Sequence, residues 1–458
     1  MASSIRRNFS CRPGQINFDG KLMVEPFGFG KVNRLAIVLV QKESNKILAI
    51  AKTESSTGKV EAEAVKKALD EWEITEKIIA CGFDTTSSNT GVHKGACKLL
   101  QELLSRQILW LACRHHILEL VVGAAFFELF GDTTSPEVTL FKVLKKSWDT
   151  LDLDDLQLPD VPTLYRGDTE ELLAWIETLL EPENVESLPR CDYKEFLELH
   201  REKEGVHLPL DKTWSGPPRT LDEQIDIYPE DGPPHAPTPG TSLANQEVKI
   251  RTMSLFVVFV YIQAWYSAPS LATAASNDIQ LYKRLLKFKS VHKKVSSSTS
   301  KVFRRHPWYL TEEMIFCSLF NEDLPMELRN TLASMIGGLE DPVGLEIRKP
   351  TLPLPTAKSA ITDFVGDRSG IFFDLLGVPT DFLLSPDWHL TPEYDTAEEA
   401  MKNLSPLNDS SERALALAIR LNTNITRDEA SFQDLVQVVE EHRKKYKVNT
   451  KKDLKSFY

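Results

Sequence analysis

Along the first ninety residues the apolar positions fall into short runs separated by polar turns. Gln15–Val24 predicts a short strand. Arg34–Gln41, in which Leu35 through Val40 are all apolar, predicts a strand buried on both faces and therefore central in its sheet. Lys46–Thr53 follows a polar Glu43-Ser44-Asn45 turn and predicts a third strand. The period then changes: Val60, Ala64, Ala68 and Trp72 recur at helical spacing over Val60–Trp72. Lys77–Phe83 returns to a continuous apolar run, a fourth strand ending at Asp84.

From Gly95 to about Leu404 helical spacing dominates. It predicts helices at Lys98–Leu111, Ile117–Phe130, Glu137–Leu151, Thr169–Leu180, Lys194–Glu204, Val248–Trp265, Ile279–Phe288, Thr311–Phe320 and Pro325–Ile336. A Pro-rich stretch at 228–240 predicts a flexible linker or exposed loop. Near the end, Asn408–Arg420 predicts a helix capped by Asn408, Asp409 or Ser410. Thr426–Lys445 predicts another, with Thr426 and Glu429 in capping-box spacing.

Short connections between the first three strands imply antiparallel pairing. The helix before the fourth allows it to return parallel to a neighbour by a right-handed crossover. The expected class is α/β plus α: a ribonuclease H-like core of strand, strand, strand, helix, strand, helix, interrupted by a long all-helical insertion. Residues 1–95 would begin the core, 96–404 form the insertion, and 405–458 supply helices that complete the core, with a basic tail. In this arrangement the first and fourth strands are neighbours, which would bring Asp19 and Asp84 together.

Composition narrows the partners. With 458 residues and 42% hydrophobic content, the chain is long enough for two or three domains and a large core. No run of about 18 uninterrupted apolar residues appears, so no membrane partner is expected. The N-terminal residues lack the apolar block of a secretion signal. Six cysteines, none in a CxxC pair, read as reduced thiols of an intracellular protein. The net charge of −12 opposes broad nucleic-acid affinity, yet 283–305 and 442–455 are locally basic.

Candidate chemistry resides in a few acidic and basic positions. Asp19 and Asp84 end strand-like runs, and Glu412 lies in the first turn of its helix, in line with Leu415, Ala416 and Ile419. Carboxylates gathered in one cleft repel unless a cation bridges them, which predicts a divalent metal site. Each also has a plainer reading. Asp19-Gly20 suits a hairpin turn, Asp84 a cap or turn, and Glu412 a complement to the helix dipole. Cys113 and His116 share a helical face, but two ligands do not make a zinc site, and a packed thiol with a hydrogen-bonded core histidine is the preferred reading. Lys287, Lys289, Lys293, Lys294, Arg304, Arg305 and Trp308 form a candidate nucleic-acid surface, interleaved with Phe288, Phe303 and Tyr309; the alternative is a solvated helix face over core-facing rings.

Several motifs occur in a recognisable order. They are Gly82-Phe83-Asp84-Thr85-Thr86-Ser87-Ser88-Asn89-Thr90-Gly91, Gly95-Ala96-Cys97, Leu111-Ala112-Cys113-Arg114-His115-His116-Ile117-Leu118-Glu119-Leu120, His306-Pro307-Trp308-Tyr309-Leu310, and Asn408–Arg413. Together, from about residue 15 to 443, they resemble transposase-derived proteins of the hAT-like group. The resemblance implies a D-D-E metal site for DNA strand cleavage and transfer, with Asp19, Asp84 and Glu412 holding Mg²⁺ or Mn²⁺. It matches the group's CxxH element to Cys113 and His116, and implies a nuclear location. Such transposases carry an N-terminal zinc-finger domain, which the residues before Asp19 do not form, so DNA binding is expected to be weak or lost. The alternative is a domesticated, catalytically inactive relative serving as a protein-interaction scaffold, with self-association among its expected contacts.

Overall fold

A computed structural model describes residues 2–7, 9, 11–24, 30–42, 45–131, 165–181, 243–339, 347–420 and 428–446. The helices predicted at Glu137–Leu151 and Lys194–Glu204, the 228–240 loop and Thr426 lie outside these residues. The chain divides into two compact units: residues 1–117, 267–279 and 306–458 form the first, and 118–266 with 280–305 the second.

The first unit is built on a mixed sheet of five strands in the order β3-β2-β1-β4-β5. These are β1 (Gly14–Val24), β2 (Lys31–Val40), β3 (Lys46–Thr53), β4 (Ile78–Phe83) and β5 (Leu109–Ala112). The first three pair antiparallel, while β4 joins β1 and β5 joins β4 in parallel. The helix α1 (Ala2–Arg7) precedes them, α2 (Gly58–Glu71), α3 (Ser87–Thr90) and α4 (Ala96–Leu104) lie between them in the chain, and α5 (Arg114–Phe130) follows β5 and continues past residue 117 into the residues of the second unit.

The continuous apolar run of β2 is explained by cover on both faces. Leu35, Ile37 and Leu39 pack with Ala62, Val65 and Leu69 of α2 and Leu100 of α4. Ala36 and Val38 face the other way, onto Leu415 and Ala418 of the helix Asp409–Arg420 and onto Phe432 and Val436 of the helix Glu429–Tyr446.

One predicted helix is replaced. Where a single helix was expected over Lys98–Leu111, α4 stops at Leu104 and the chain enters β5. Ser105 takes a left-handed conformation (φ 54°) and ends the helix. The following residues, Ile108 to Ala112, are apolar without exception and fully buried. Periodicity does not separate such a run from a buried helical turn. Thr311–Phe320, also expected as α-helix, is a tighter 3₁₀ segment over Ile315–Phe320.

The edge strand β3 is closed by the helix Glu429–Tyr446. Gln433 donates to the Ile50 carbonyl (2.7 Å) and accepts from the Ile50 N–H (3.0 Å). One and two turns on, Gln437 donates to the Ile47 carbonyl and Glu440 accepts the Ile47 N–H, both at 2.8 Å. Lys46, almost fully buried, donates to Glu440 and to Glu441 (2.8 Å), and Arg34 makes a two-pronged pair with Glu429 at 2.6 and 2.9 Å. Side chains on one helical stripe thus occupy the backbone groups of an otherwise open edge.

In the second unit, the helix Arg166–Leu179 sets Leu172 and Ile176 against Ile262. Phe256 meets Phe288, and Tyr282 stacks on Phe303. The stretch Val248–Tyr266 is long and apolar enough to cross a membrane by length and composition. Phe256, Val260, Ile262 and Ala264 within it are buried core residues.

Candidate active site

Neighbouring parallel strands bring Asp19 and Asp84 to one end of the sheet. Asn17 of β1 registers with Gly82 of β4, so Asp19 and Asp84 each follow their paired residue by two positions. Asp84 leaves the strand directly into the turn before α3, where its carbonyl accepts a hydrogen bond from Asn89 (2.9 Å).

The helix Asp409–Arg420 is attached to the same place by buried polar residues. Gln15 and Asn17, both fully buried, share a face of β1 with Asp19 because strand side chains alternate. Gln15 donates to the Ser405 carbonyl (2.9 Å) and accepts the Ser405 N–H (2.7 Å). Asn17 donates to the Leu407 carbonyl and to Ser410 Oγ, both at 3.0 Å. Asn408 reaches back to the Phe18 carbonyl (3.0 Å), hydrogen-bonds the Asp84 carboxylate, and offers its backbone N–H to Cys113 Sγ (3.3 Å). Gly82 makes room for this network: a Cβ there would lie 2.1 Å from Asn17 Oδ1 and 2.4 Å from Gln15 Nε2. Only a residue without a side chain fits.

The start of α5 supplies the opposite wall. Cys113 and Arg114 donate their backbone N–H groups to the Phe83 and Pro406 carbonyls, at 2.8 and 2.9 Å. His115 Nδ1 lies 3.1 Å from Asp409 Oδ1, and His116 Nδ1 lies 4.0 Å from Asp84 Oδ2. His116 Nε2 is buried and has no hydrogen-bond partner among the described residues. Behind them Arg114 pairs with buried Asp278 (2.7 Å) and covers the Tyr309 ring, whose hydroxyl donates to the Ala112 carbonyl (2.5 Å).

Burial and neighbouring charge act together on these carboxylates. Asp19 is held well above the usual carboxylate range, first by desolvation, then by the charges of Asp84, Glu412 and Glu61. Desolvation also raises Asp84, with Asp409 adding to it and His116 and Asn408 opposing. Glu61, buried on α2 beneath Gly20, is pushed up to about 7 by burial. The structure therefore brings Asp19, Asp84 and Glu412 within electrostatic reach, and adds Asp409 and Glu61.

Glu412 does not occupy the inward position its spacing suggests. It is exposed at the rim, while Ala414, Leu415, Leu417 and Ala418 form the buried stripe. Among the described residues, no three His, Cys, Asp or Glu side chains are placed to hold a metal ion in this conformation. Cys113 is a buried thiol raised by desolvation and by Asp84 and Asp409, consistent with a packing role.

In the basic segment, Lys289, Lys293, Lys294, Arg304 and Arg305 are exposed. Lys287 is half-buried and paired with Asp168 at 2.6 Å. The rings face inward: Phe288, Phe303, Trp308 and Tyr309 are all buried, and Trp308 stacks on Trp110 at 6.0 Å.

Sequence reasoning missed Gln15, Asn17, Asn408, Glu61 and His115. A signal for the first two was present. A strand expected next to neighbours on both sides carried a polar residue at every second position, so its polar face needed partners from elsewhere in the chain. Comparison with known proteins adds no family: the chain matches no family model and no curated protein.

Proposed function

We propose that this chain is a transposase-derived protein of the hAT-like group, with a ribonuclease H-like core and a site for metal-dependent cleavage and transfer of DNA strands. A nuclear location and self-association belong to the same reading. The observation that carries it is that Asp84 and Glu412, from segments far apart in the chain, lie close enough to Asp19 for their charges to raise its carboxyl. The strand order β3-β2-β1-β4-β5, with the two aspartates on adjacent strands, supports it.

The donors suit Mg²⁺ or Mn²⁺ in kind, being carboxylate oxygens. Asp19 and Asp84 would hold the ion, with Glu412 completing the set by turning in from the rim. A divalent ion bound there supplies an activated water and stabilises charge on the leaving oxygen. The chain's own contribution is positional. Asn408 fixes Asp84 relative to β1, and the Gln15–Asn17 network holds the Glu412 helix against both. Without a cation, this concentration of negative charge repels a phosphodiester.

A second reading, an inactive scaffold, is favoured by the exposure of Glu412 and by the absence of a ready-made cage of three ligands among the described residues. Incubation with supercoiled plasmid separates the two. The enzyme reading expects Mn²⁺-dependent nicked circles that disappear in EDTA and in a folded Asp84→Ala variant. No nicking by the parent chain supports the scaffold. Equal nicking by a triple alanine variant at Asp19, Asp84 and Glu412 assigns the activity elsewhere.

A further inference from the structure

From 279 to 311 the chain contains nine Lys and Arg and no Asp or Glu, although the whole carries a net charge of −12. Six of these cations, Lys289, Lys293, Lys294, Lys301, Arg304 and Arg305, are exposed, and none has an ion-pair partner among the described residues. They lie on and beside the helix Lys293–Phe303. Its other face buries Val295, Thr299 and Phe303. Lys294 and Lys301 are seven residues apart, two helical turns, on one side, with exposed Ser297 between them.

The charge in the first turn does not serve the helix, whereas Lys301 in the last turn complements its dipole. Lys293 and Lys294 occupy its first turn, where the macrodipole disfavours cations. The countercharge must come from a ligand or from solvent.

We propose that this face binds the sugar-phosphate backbone of duplex nucleic acid without reading its sequence. From Lys293 to Arg305 the rise is about 18 Å, which spans about ten phosphates at one charge per ~1.7 Å of duplex. A membrane surface fits less well, because the exposed positions on this face offer no apolar side chain to insert. Single strands fit less well too: the rings that would stack on bases are used internally, Tyr282 on Phe303 at 5.8 Å and Phe288 on Phe256 at 5.3 Å. The inference is independent of the carboxylate cluster, since it requires neither metal nor cleavage.

Fluorescence anisotropy of a labelled duplex of about 20 base pairs, two helical turns, tests it in EDTA, where strand cleavage is silent. Binding should weaken with salt, with a log–log slope approaching about −5 if all six cations contact phosphate. Replacing all six by Gln should reduce affinity by about 100-fold near 0.1 M salt and flatten the slope. The pair Lys293→Glu with Lys294→Glu should weaken binding far more than Lys59→Gln with Lys67→Gln on α2. Circular dichroism should show every variant folded, as expected for exposed positions. Unchanged binding by the six-fold variant overturns the proposal. So does equal competition by polyglutamate or anionic phospholipid vesicles, or a preference for single strands of the same length. Loss of plasmid nicking alone bears on the carboxylate site and leaves this face untouched.

Discussion

At the scale of single residues, the most informative group is Glu61. Its carboxyl is raised from 4.5 to about 7 by burial. In the unfolded chain it ionises from about pH 4.5 and in the folded chain only near 7, so its contribution is fully present below the lower value and is lost as pH rises through the upper one. The loss amounts to about 3 kcal/mol. Glu61→Gln should therefore match the parent in urea unfolding at pH 4 and exceed it at pH 8; parallel profiles would show that the carboxylate is not desolvated. Gly82→Ala tests the polar network under the site. The new methyl takes the space of the Asn17 amide, leaving the Leu407 carbonyl without its donor, and should cost about 1–3 kcal/mol. A loss of less than about 0.5 kcal/mol would mean that the network is dispensable. Asp84 was legible as a carboxylate ending an apolar run, whereas Asp19 lies inside β1 and Glu412 in the first turn of a helix, and those two were singled out with the help of the resemblance. Gln15, Asn17 and Asn408 were not, because amides have meaning only once their partners, some 390 positions away, are known.

At the scale of elements, the first four strands were legible, while β5 and the 3₁₀ segment Ile315–Phe320 were not. Lys46–Thr53 was read to the residue, since polar turns bracket it. The β5 strand was hidden because its five-residue apolar run follows a helix after only Ser105, Arg106 and Gln107 and fits either period. The helix Glu429–Tyr446 was also legible, but its task was not. It closes the β3 edge through Gln433, Gln437 and Glu440, to which the sequence pattern assigned no role. Replacing Gln433 and Gln437 together by Ala should free the Ile47 carbonyl and the Ile50 N–H, lower stability by about 1–3 kcal/mol for each buried group left unpaired, and promote self-association through the exposed edge. Sedimentation at increasing concentration reads the second effect; a monomer of unchanged stability would refute both.

At the scale of the whole molecule, the electrostatics of the carboxylate cluster should be visible in thermal unfolding. Burial and the charges of neighbouring carboxylates raise Asp19 and Asp84, so their ionised forms oppose folding at neutral pH. A bound divalent cation reverses that penalty. Mn²⁺ at about 100 times its Kd should stabilise the fold by about 2.7 kcal/mol, raising Tm by about 3 °C. Asp84→Asn should raise Tm without metal and abolish the Mn²⁺ response; a Mn²⁺ shift retained in that variant would place the ion elsewhere. The sequence by itself determined the mixed α/β class and the chain order of the first four strands, because these follow from local periodicity and short connections; the approach of Asp19 to Asp84 was expected from an assumed strand arrangement and is decided by the β1–β4 pairing. Only the tertiary structure decided how the Asn408–Glu412 segment meets them and that the basic segment turns its rings inward. It also decided that Glu412 stands at the rim. Those outcomes depend on which buried polar groups find partners across the chain, and local pattern carries no information about a partner hundreds of residues away.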